Sequence, residues 1–149
     1  MPKTAIVYRS PHHRNTKRLL DAIQRAHPEV ALIHAGEDTF TPEAYDFIGF
    51  ASGVYAGKLH RMVRKVLDGI AGDGRKAFVI FTCGDPKGEK YNERFVNTLR
   101  EKGFDTRGYY WCAGLDTFGP LKLMGGMNKG RPNEDDIRGA VAFYEGLIG

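Results

Sequence analysis

The chain has 149 residues, 42% of them hydrophobic and 27% charged, a size and balance that suit one globular domain with a full core. No apolar run approaches the roughly 18 residues of a membrane span, no signal-like apolar stretch opens the chain, and two cysteines are too few for a disulfide framework, so the expected compartment is the cytoplasm. The net charge of +4 is uneven: residues 1–25 hold Lys3, Arg9, Arg14, Lys17, Arg18 and Arg25 against Asp21 alone. These cations do not group on one helix face with interleaved aromatics, which argues against nucleic acid and for an anionic small ligand or an acidic protein partner.

In chain order, Lys3 to Tyr8 reads as an apolar strand, and Asn15 to Ala26 as a helix with Leu19, Leu20, Ile23 and Ala26 on one side. Pro28 stops that helix, and Val30 to His34 is a short second strand. Tyr45 to Ala51 is a third strand, giving way to a loop, Ser52 to Gly57. Leu59, Met62, Val63, Val66, Leu67 and Ile70 follow the i, i+3, i+4, i+7 spacing of a buried helical stripe. Lys76 to Thr82 is apolar enough to be a strand buried on both faces. Glu89 to Lys102 reads as a helix through Tyr91, Phe95, Val96 and Leu99, ended by Gly103. Tyr109 to Ala113 is a fifth strand, and Asn133 opens a last helix carrying Ile137, Val141, Tyr144, Leu147 and Ile148.

Strands alternating with helices predict an α/β fold: a parallel sheet covered on both faces, formed by residues 1–149 as a single domain. The connection from Ala35 to Ala44 is polar and moderately long. The one from Gly114 to Pro132 is long enough to suggest a functional role.

Ligands of such sheets bind beyond the carboxyl ends of the strands. Three loops lie there: 10–16, 52–57 and 83–88. The first, Ser10-Pro11-His12-His13-Arg14-Asn15-Thr16, joins a strand to a helix. The N–H groups and dipole of a helix start favour an anion, and this turn adds hydroxyl, amide and cationic side chains. It carries neither the G-x-G-x-x-G nor the G-x-x-x-x-G-K-[ST] phosphate pattern. In the other two loops Gly53, Gly57, Gly84 and Gly88 free the backbone for close approach, and Tyr55 offers an aromatic plane.

With these loops in place the chain resembles the flavodoxin family of FMN proteins over essentially its whole length. The matching stretches are Ser10 to Thr16 and Tyr45 to Lys58; Gly114-Leu115-Asp116-Thr117-Phe118-Gly119-Pro120 with Gly130-Arg131-Pro132-Asn133 is similar to a tail found in a microbial subgroup of that family. The resemblance implies a three-layer sandwich around a five-stranded parallel sheet of order 2-1-3-4-5. It implies that Ser10, His12, His13, Arg14, Asn15 and Thr16 surround the FMN phosphate. Ser52, Gly53, Val54, Tyr55 and Gly57 would line one side of the isoalloxazine ring, with Tyr55 stacked on it and the Gly53 carbonyl facing the flavin N5–H. Thr82, Cys83 and Gly84 would approach from the other side. The implied role is electron transfer between a reductase or ferredoxin-like donor and an acceptor, with the protein setting the potentials. A basic chain would oppose the reduced, anionic flavin less than a strongly acidic one, an effect that salt keeps small.

The turn departs from the family pattern [ST]-x-T-G-x-T: His12-His13 stands where threonine and glycine are expected, although Thr16 keeps the final threonine. A side chain at His13 would strain a left-handed backbone there. Other readings remain beside the electron carrier. One is an FMN-dependent quinone or protoporphyrinogen oxidoreductase on the same scaffold; another is a flavin-free binding module. A cysteine phosphatase loop is excluded, because C-x5-R would place arginine where Glu89 stands. A metal site is not expected, since His34 and His60 lie on separate elements and no C-x-x-C occurs. Tyr91 and Trp111 read as packing residues. Cys83 and Cys112 end adjacent predicted strands, so their thiols either approach each other or stay buried apart.

Overall fold

The computed structural model describes residues 2–11, 14–85, 87–114 and 130–149. Five parallel strands form the sheet: β1 (Thr4–Arg9), β2 (Ala31–His34), β3 (Phe47–Tyr55), β5 (Lys76–Cys83) and β6 (Asp105–Ala113). Their order is β2-β1-β3-β5-β6. That is the expected 2-1-3-4-5 arrangement, with one addition. A two-residue strand, β4 (Lys58–Leu59), folds back antiparallel on the end of β3.

Side-chain alternation divides the core between the two faces of the sheet. Ala5, Val7, Ile48, Phe50, Ala77, Val79 and Phe81 point to one side, where α2 (Arg61–Asp68) and α3 (Asn92–Glu101) add Val63, Leu67, Phe95 and Leu99. Ile6, Phe47, Ala51, Phe78 and Ile80 point to the other, beneath α1 (Asn15–Ala26) and α4 (Glu134–Ile148) with Leu19, Leu20, Ile23, Ala140 and Tyr144. The middle stretches of the central strands, Ala5–Val7, Phe47–Ala51 and Ala77–Phe81, are therefore free of polar side chains, as a two-faced sheet requires. Gly49 leaves room for the Phe78 ring: a Cβ there would lie 2.4 Å from it.

Several boundaries differ from the sequence reading. β3 runs on to Tyr55, so residues 52–55, expected in a loop, are strand. The stripe from Leu59 to Ile70 is only partly helix. Leu59 belongs to β4, α2 begins at Arg61 with the His60 imidazole accepting the Met62 N–H at 3.0 Å, and Gly69 caps its end. The expected helix from Glu89 opens as a 3-10 turn, Gly88–Tyr91, before α3 proper. The 114–132 connection lies outside the described residues from 115 to 129. Among the described residues no helix is long and apolar enough to cross a membrane.

Candidate functional site

The parallel register brings the carboxyl ends of four strands level. Arg9 pairs with Ser52, Gly53 with Thr82, and Thr82 with Cys112. The three loops singled out in the sequence therefore leave the sheet side by side, at a topological switch point, since β2 lies to one side of β1 and β3 to the other.

The first loop leads into α1. Ser10 Oγ accepts the Lys17 N–H at 3.2 Å, and the Arg14 carbonyl accepts that of Arg18 at 3.0 Å. Arg14 precedes the helix with φ 52° and ψ 33°, the left-handed region that glycine tolerates best. Among the described residues of this turn the left-handed position is at Arg14; the strain expected at His13 falls, with His12, outside the described residues. Asn15 and Thr16 are buried although both are polar. The Thr16 and Thr82 hydroxyls share a hydrogen bond of 2.9 Å. Asn15 Oδ1 accepts from Arg18 at 3.0 Å, and a Cβ on Gly114 would come within 2.6 Å of the Asn15 amide nitrogen. No acidic residue stands in the first turn of α1, and Lys17 pairs with Asp21 one turn on.

The second loop is a hairpin. Ala56 (φ 50°) and Gly57 (φ 78°) are both left-handed, the backbone of a two-residue turn matched to strand twist, and Tyr55 faces Lys58 across it. Ser52, fully buried, holds the hairpin to α2: its hydroxyl donates to the Gly53 carbonyl at 2.7 Å and accepts the His60 N–H at 2.8 Å. The Tyr55 ring packs near the Gly53 Cα and meets His60 edge-on, centroids 5.2 Å apart. Burial raises its phenol above the ordinary value. From α3, Arg94 Nη1 donates to the Gly57 carbonyl at 2.9 Å, bracing the turn from outside.

In the third loop, Asp85 accepts the Lys87 N–H at 2.8 Å and the Lys90 ammonium at 2.6 Å; these hydrogen bonds hold its carboxyl below the usual range. Pro86 lies outside the described residues. Gly88 fits under the Trp111 ring, where a Cβ would sit 2.6 Å from it, and Trp111 stacks on Phe81. Tyr91 stacks on Phe95. Both aromatics pack as expected.

Thr82 and Cys83 point to opposite faces. Cys83 lies in the cluster under α2 and α3, whereas Cys112, opposite Thr82, lies in the cluster under α1 and α4. The approach of the two thiols considered from the sequence is therefore ruled out by alternation: the sheet itself separates them. Burial, and then the nearby Asp136, push the Cys112 thiol up to about 12.

One cluster was not read from the sequence. Arg131 holds Asp136 through two bonds of 2.5 and 2.7 Å, and Asn133 and Asp136 cap each other at the start of α4. Arg18 reaches the Arg131 carbonyl at 3.3 Å while also holding Asn15. Burial pushes the Asp136 carboxyl up, but the Arg131 hydrogen bond, the Asn133 N–H and the Arg131 charge together bring it below its ordinary value. The spacing Asn133-x-x-Asp136 is a capping signal visible in sequence; the tie to α1 is not. Among the described residues no group of three or more histidine, cysteine or acidic side chains is placed to hold a metal ion.

The arrangement thus has an anion-compatible end at the α1 start and an aromatic end at Tyr55, side by side across β1 and β3. Over nearly its whole length the chain is similar to an uncharacterized protein of Methanocaldococcus jannaschii, 38% identical over 150 residues and covering 98% of each chain. No family model matches the chain. Among solved structures, flavodoxin 2 of Bacillus cereus superposes with a TM-score of 0.69 at 22% identity, covering 98% of this chain and 97% of that one. Flavodoxin 1 of the same organism gives 0.69 at 18%, covering 97% and 96%. General stress protein 14 of Treponema denticola, solved in complex with FMN, gives 0.68 at 16%, covering 98% and 99%.

Proposed function

Since the chain belongs to the family of the uncharacterized Methanocaldococcus jannaschii protein and has a flavodoxin-like fold, we propose that it binds FMN at the carboxyl edge of the sheet and carries electrons between redox proteins. The observation that carries this reading is the first turn of α1. It begins beside the ends of β1 and β5, holds no carboxylate, and is flanked by Arg14, Lys17 and Arg18. A dianionic phosphate supplies the negative charge that this helix start lacks.

The residues present fit the group. Ser10, Arg14, Asn15 and Thr16 are the described candidates for the phosphate, with the Thr16–Thr82 bond fixing the turn against β5. Gly53, Val54 and Tyr55 end β3 as an edge with one aromatic ring, and Gly57 allows the tight hairpin that supports it. The Ser52 hydroxyl serves the hairpin rather than the ligand. Thr82 bonds Thr16, so Cys83 and Gly84 are the residues of β5 and its loop proposed to approach the ring. Bound FMN supplies one- and two-electron chemistry, while the protein positions the ring and limits water around it.

The deciding experiment is the visible spectrum of the purified protein, with the released chromophore identified, followed by titration of stripped protein with FMN and riboflavin. The expected result is a yellow protein that takes up FMN more tightly than riboflavin. Colourless protein that fails to take up added FMN overturns the reading in favour of a flavin-free binding module. Steady turnover of a quinone or protoporphyrinogen by the FMN-loaded protein replaces the carrier with the oxidoreductase. The partners proposed are a reductase or ferredoxin-like donor and a protein acceptor.

A further inference from the structure

The cations of this chain are not distributed alike around the fold. Many are matched by a carboxylate: Lys17 with Asp21, Arg75 with Asp73, Lys90 with Asp85, Arg107 with Asp105, Arg131 with Asp136 and Arg138 with Asp135. Others, among them Lys3, Arg14, Arg18, Arg25, Lys76, Lys87, Arg100 and Lys102, form no ion pair with a described residue, and at the β3–β4 hairpin, the start of α2 and the neighbouring Arg94 five more such cations come together. Lys58, Arg61, Arg64, Lys65 and Arg94 are all exposed, and none forms an ion pair with a described residue. The side-chain hydrogen bonds of Arg64 and Arg94 go to backbone carbonyls, those of Leu59 and Gly57. The acidic residues of these helices, Asp68 in the last turn of α2 and Glu93 and Glu101 on α3, pair with none of the five.

These charges also stand where they weaken their own helix. The first turn of α2 holds Arg61 and Arg64 and no acidic residue, so positive side chains face the positive end of its dipole. α4 shows the opposite arrangement, with Glu134, Asp135 and Asp136 at its start. A cationic helix start without a counter-charge is unfavourable for the isolated fold and favourable for meeting an anionic surface.

The position of the patch selects its use. Lys58 is the direct cross-strand partner of Tyr55, and Arg61 follows His60, whose ring lies against Tyr55. Arg94 braces the same turn. The hairpin is therefore a fixed platform of positive charge around the aromatic edge of the site. Resting on the FMN reading above, we infer that this hairpin–α2 corner is the docking surface for an acidic redox protein, which it orients so that its redox centre meets the Tyr55 edge. Complementary charge of this kind raises the encounter rate and fixes orientation more than it raises affinity. A single-stranded nucleic acid is the less suitable occupant, because such grooves interleave cations with exposed aromatics. Among the described residues the one large hydrophobic side chain that is exposed is Tyr109, on β6 at the far edge of the sheet.

The test follows, by stopped flow, one electron passing from a reduced, strongly acidic ferredoxin to the FMN-loaded protein. A basic cytochrome c, accepting an electron from the reduced protein, serves as the opposite probe. For the unaltered protein the ferredoxin rate should fall about tenfold or more as ionic strength rises from about 0.02 to 0.5 M. The combined variant Lys58→Glu, Arg61→Glu and Lys65→Glu should react with ferredoxin about tenfold more slowly at low salt and faster with cytochrome c. Its flavin spectrum should be unchanged, which shows that the variant is folded and loaded. Lys76→Glu with Arg100→Glu, at the amino end of β5 and in the last turn of α3, should leave both rates within about twofold. Equal ferredoxin rates and salt slopes for the unaltered protein and the triple variant overturn the docking surface while leaving the FMN reading intact. So does loss of single-stranded oligonucleotide binding in that variant with no change toward ferredoxin. Failure to take up FMN at all overturns the underlying reading instead.

Discussion

The Thr16 hydroxyl lies 2.9 Å from that of Thr82, both buried, and this bond fastens the first turn of α1 to the carboxyl end of β5. Neither hydroxyl has water to fall back on. Replacing one by valine keeps the volume but strands the other polar group, which costs about 1–3 kcal/mol, whereas replacing both removes the mismatch. Thr16→Val and Thr82→Val should each lower stability in urea titration, and the double variant should lose less than the sum of the two. Strict additivity would show that the pair is not energetically coupled.

Arg14 combines two opposed effects. Its left-handed backbone costs about 1–2 kcal/mol relative to glycine, and its charge favours the proposed phosphate. Arg14→Gly should therefore raise the melting temperature of the ligand-free protein. It should weaken FMN binding while leaving riboflavin binding nearly unchanged. A variant that melts lower, or loses both ligands equally, contradicts this division of roles.

Asp136 predicts an acid-limb effect. Its carboxyl is held below its ordinary 3.8 in the folded state, so between that value and the folded one the unfolded chain binds more protons than the native one. The contribution is complete above about pH 4–5 and disappears as pH falls through the depressed value. Asp136→Asn should flatten the acid limb of a stability-versus-pH curve and lower the neutral plateau by about 1 kcal/mol, through loss of the reciprocal cap. An acid limb unchanged by the substitution would assign it to other carboxylates.

The cysteines should be slow and independent. The Cys112 thiol, pushed up to about 12 by burial and then by Asp136, holds almost no thiolate at pH 7–8, and Cys83 is buried on the other side of the sheet. Labelling by a thiol reagent in native buffer should lag far behind labelling in denaturant. Mass spectrometry after mild oxidation should find no Cys83–Cys112 cross-link. Finding one would contradict the register of β5 and β6.

The parts of this fold that were legible in the sequence are those governed by periodicity. β1 and β5 announced themselves as apolar runs because they bury both faces, and α1 was bounded correctly at Asn15 and Ala26. The β3–β4 hairpin was missed. Its turn, Ala56-Gly57, carries only half of the usual glycine–asparagine signal, and Leu59 fits the α2 stripe as well as it fits a strand. At the site, the meeting of the three loops followed from topology alone. The Thr16–Thr82 bond, the engagement of Ser52 with His60 and the Arg18–Arg131 tie did not. Each joins residues distant in sequence through geometry that no local pattern encodes.

The contrast between the starts of α1 and α4 reaches beyond any single residue. α4 begins with three acidic residues and a reciprocal cap, so its N-terminus is complete whatever the solvent contains. α1 begins with Arg14 making no side-chain cap and with cations in its first turn. On the proposed phosphate reading, the ligand-free chain is a fold whose stability is partly a property of its buffer. An anion that binds only the native turn adds RT ln(1 + [L]/Kd), about 2.7 kcal/mol at a hundredfold excess over Kd. Melting temperatures should climb with inorganic phosphate and stay flat with chloride at equal ionic strength. A preparation dialysed into an anion-poor buffer would look intrinsically fragile when it is only under-liganded.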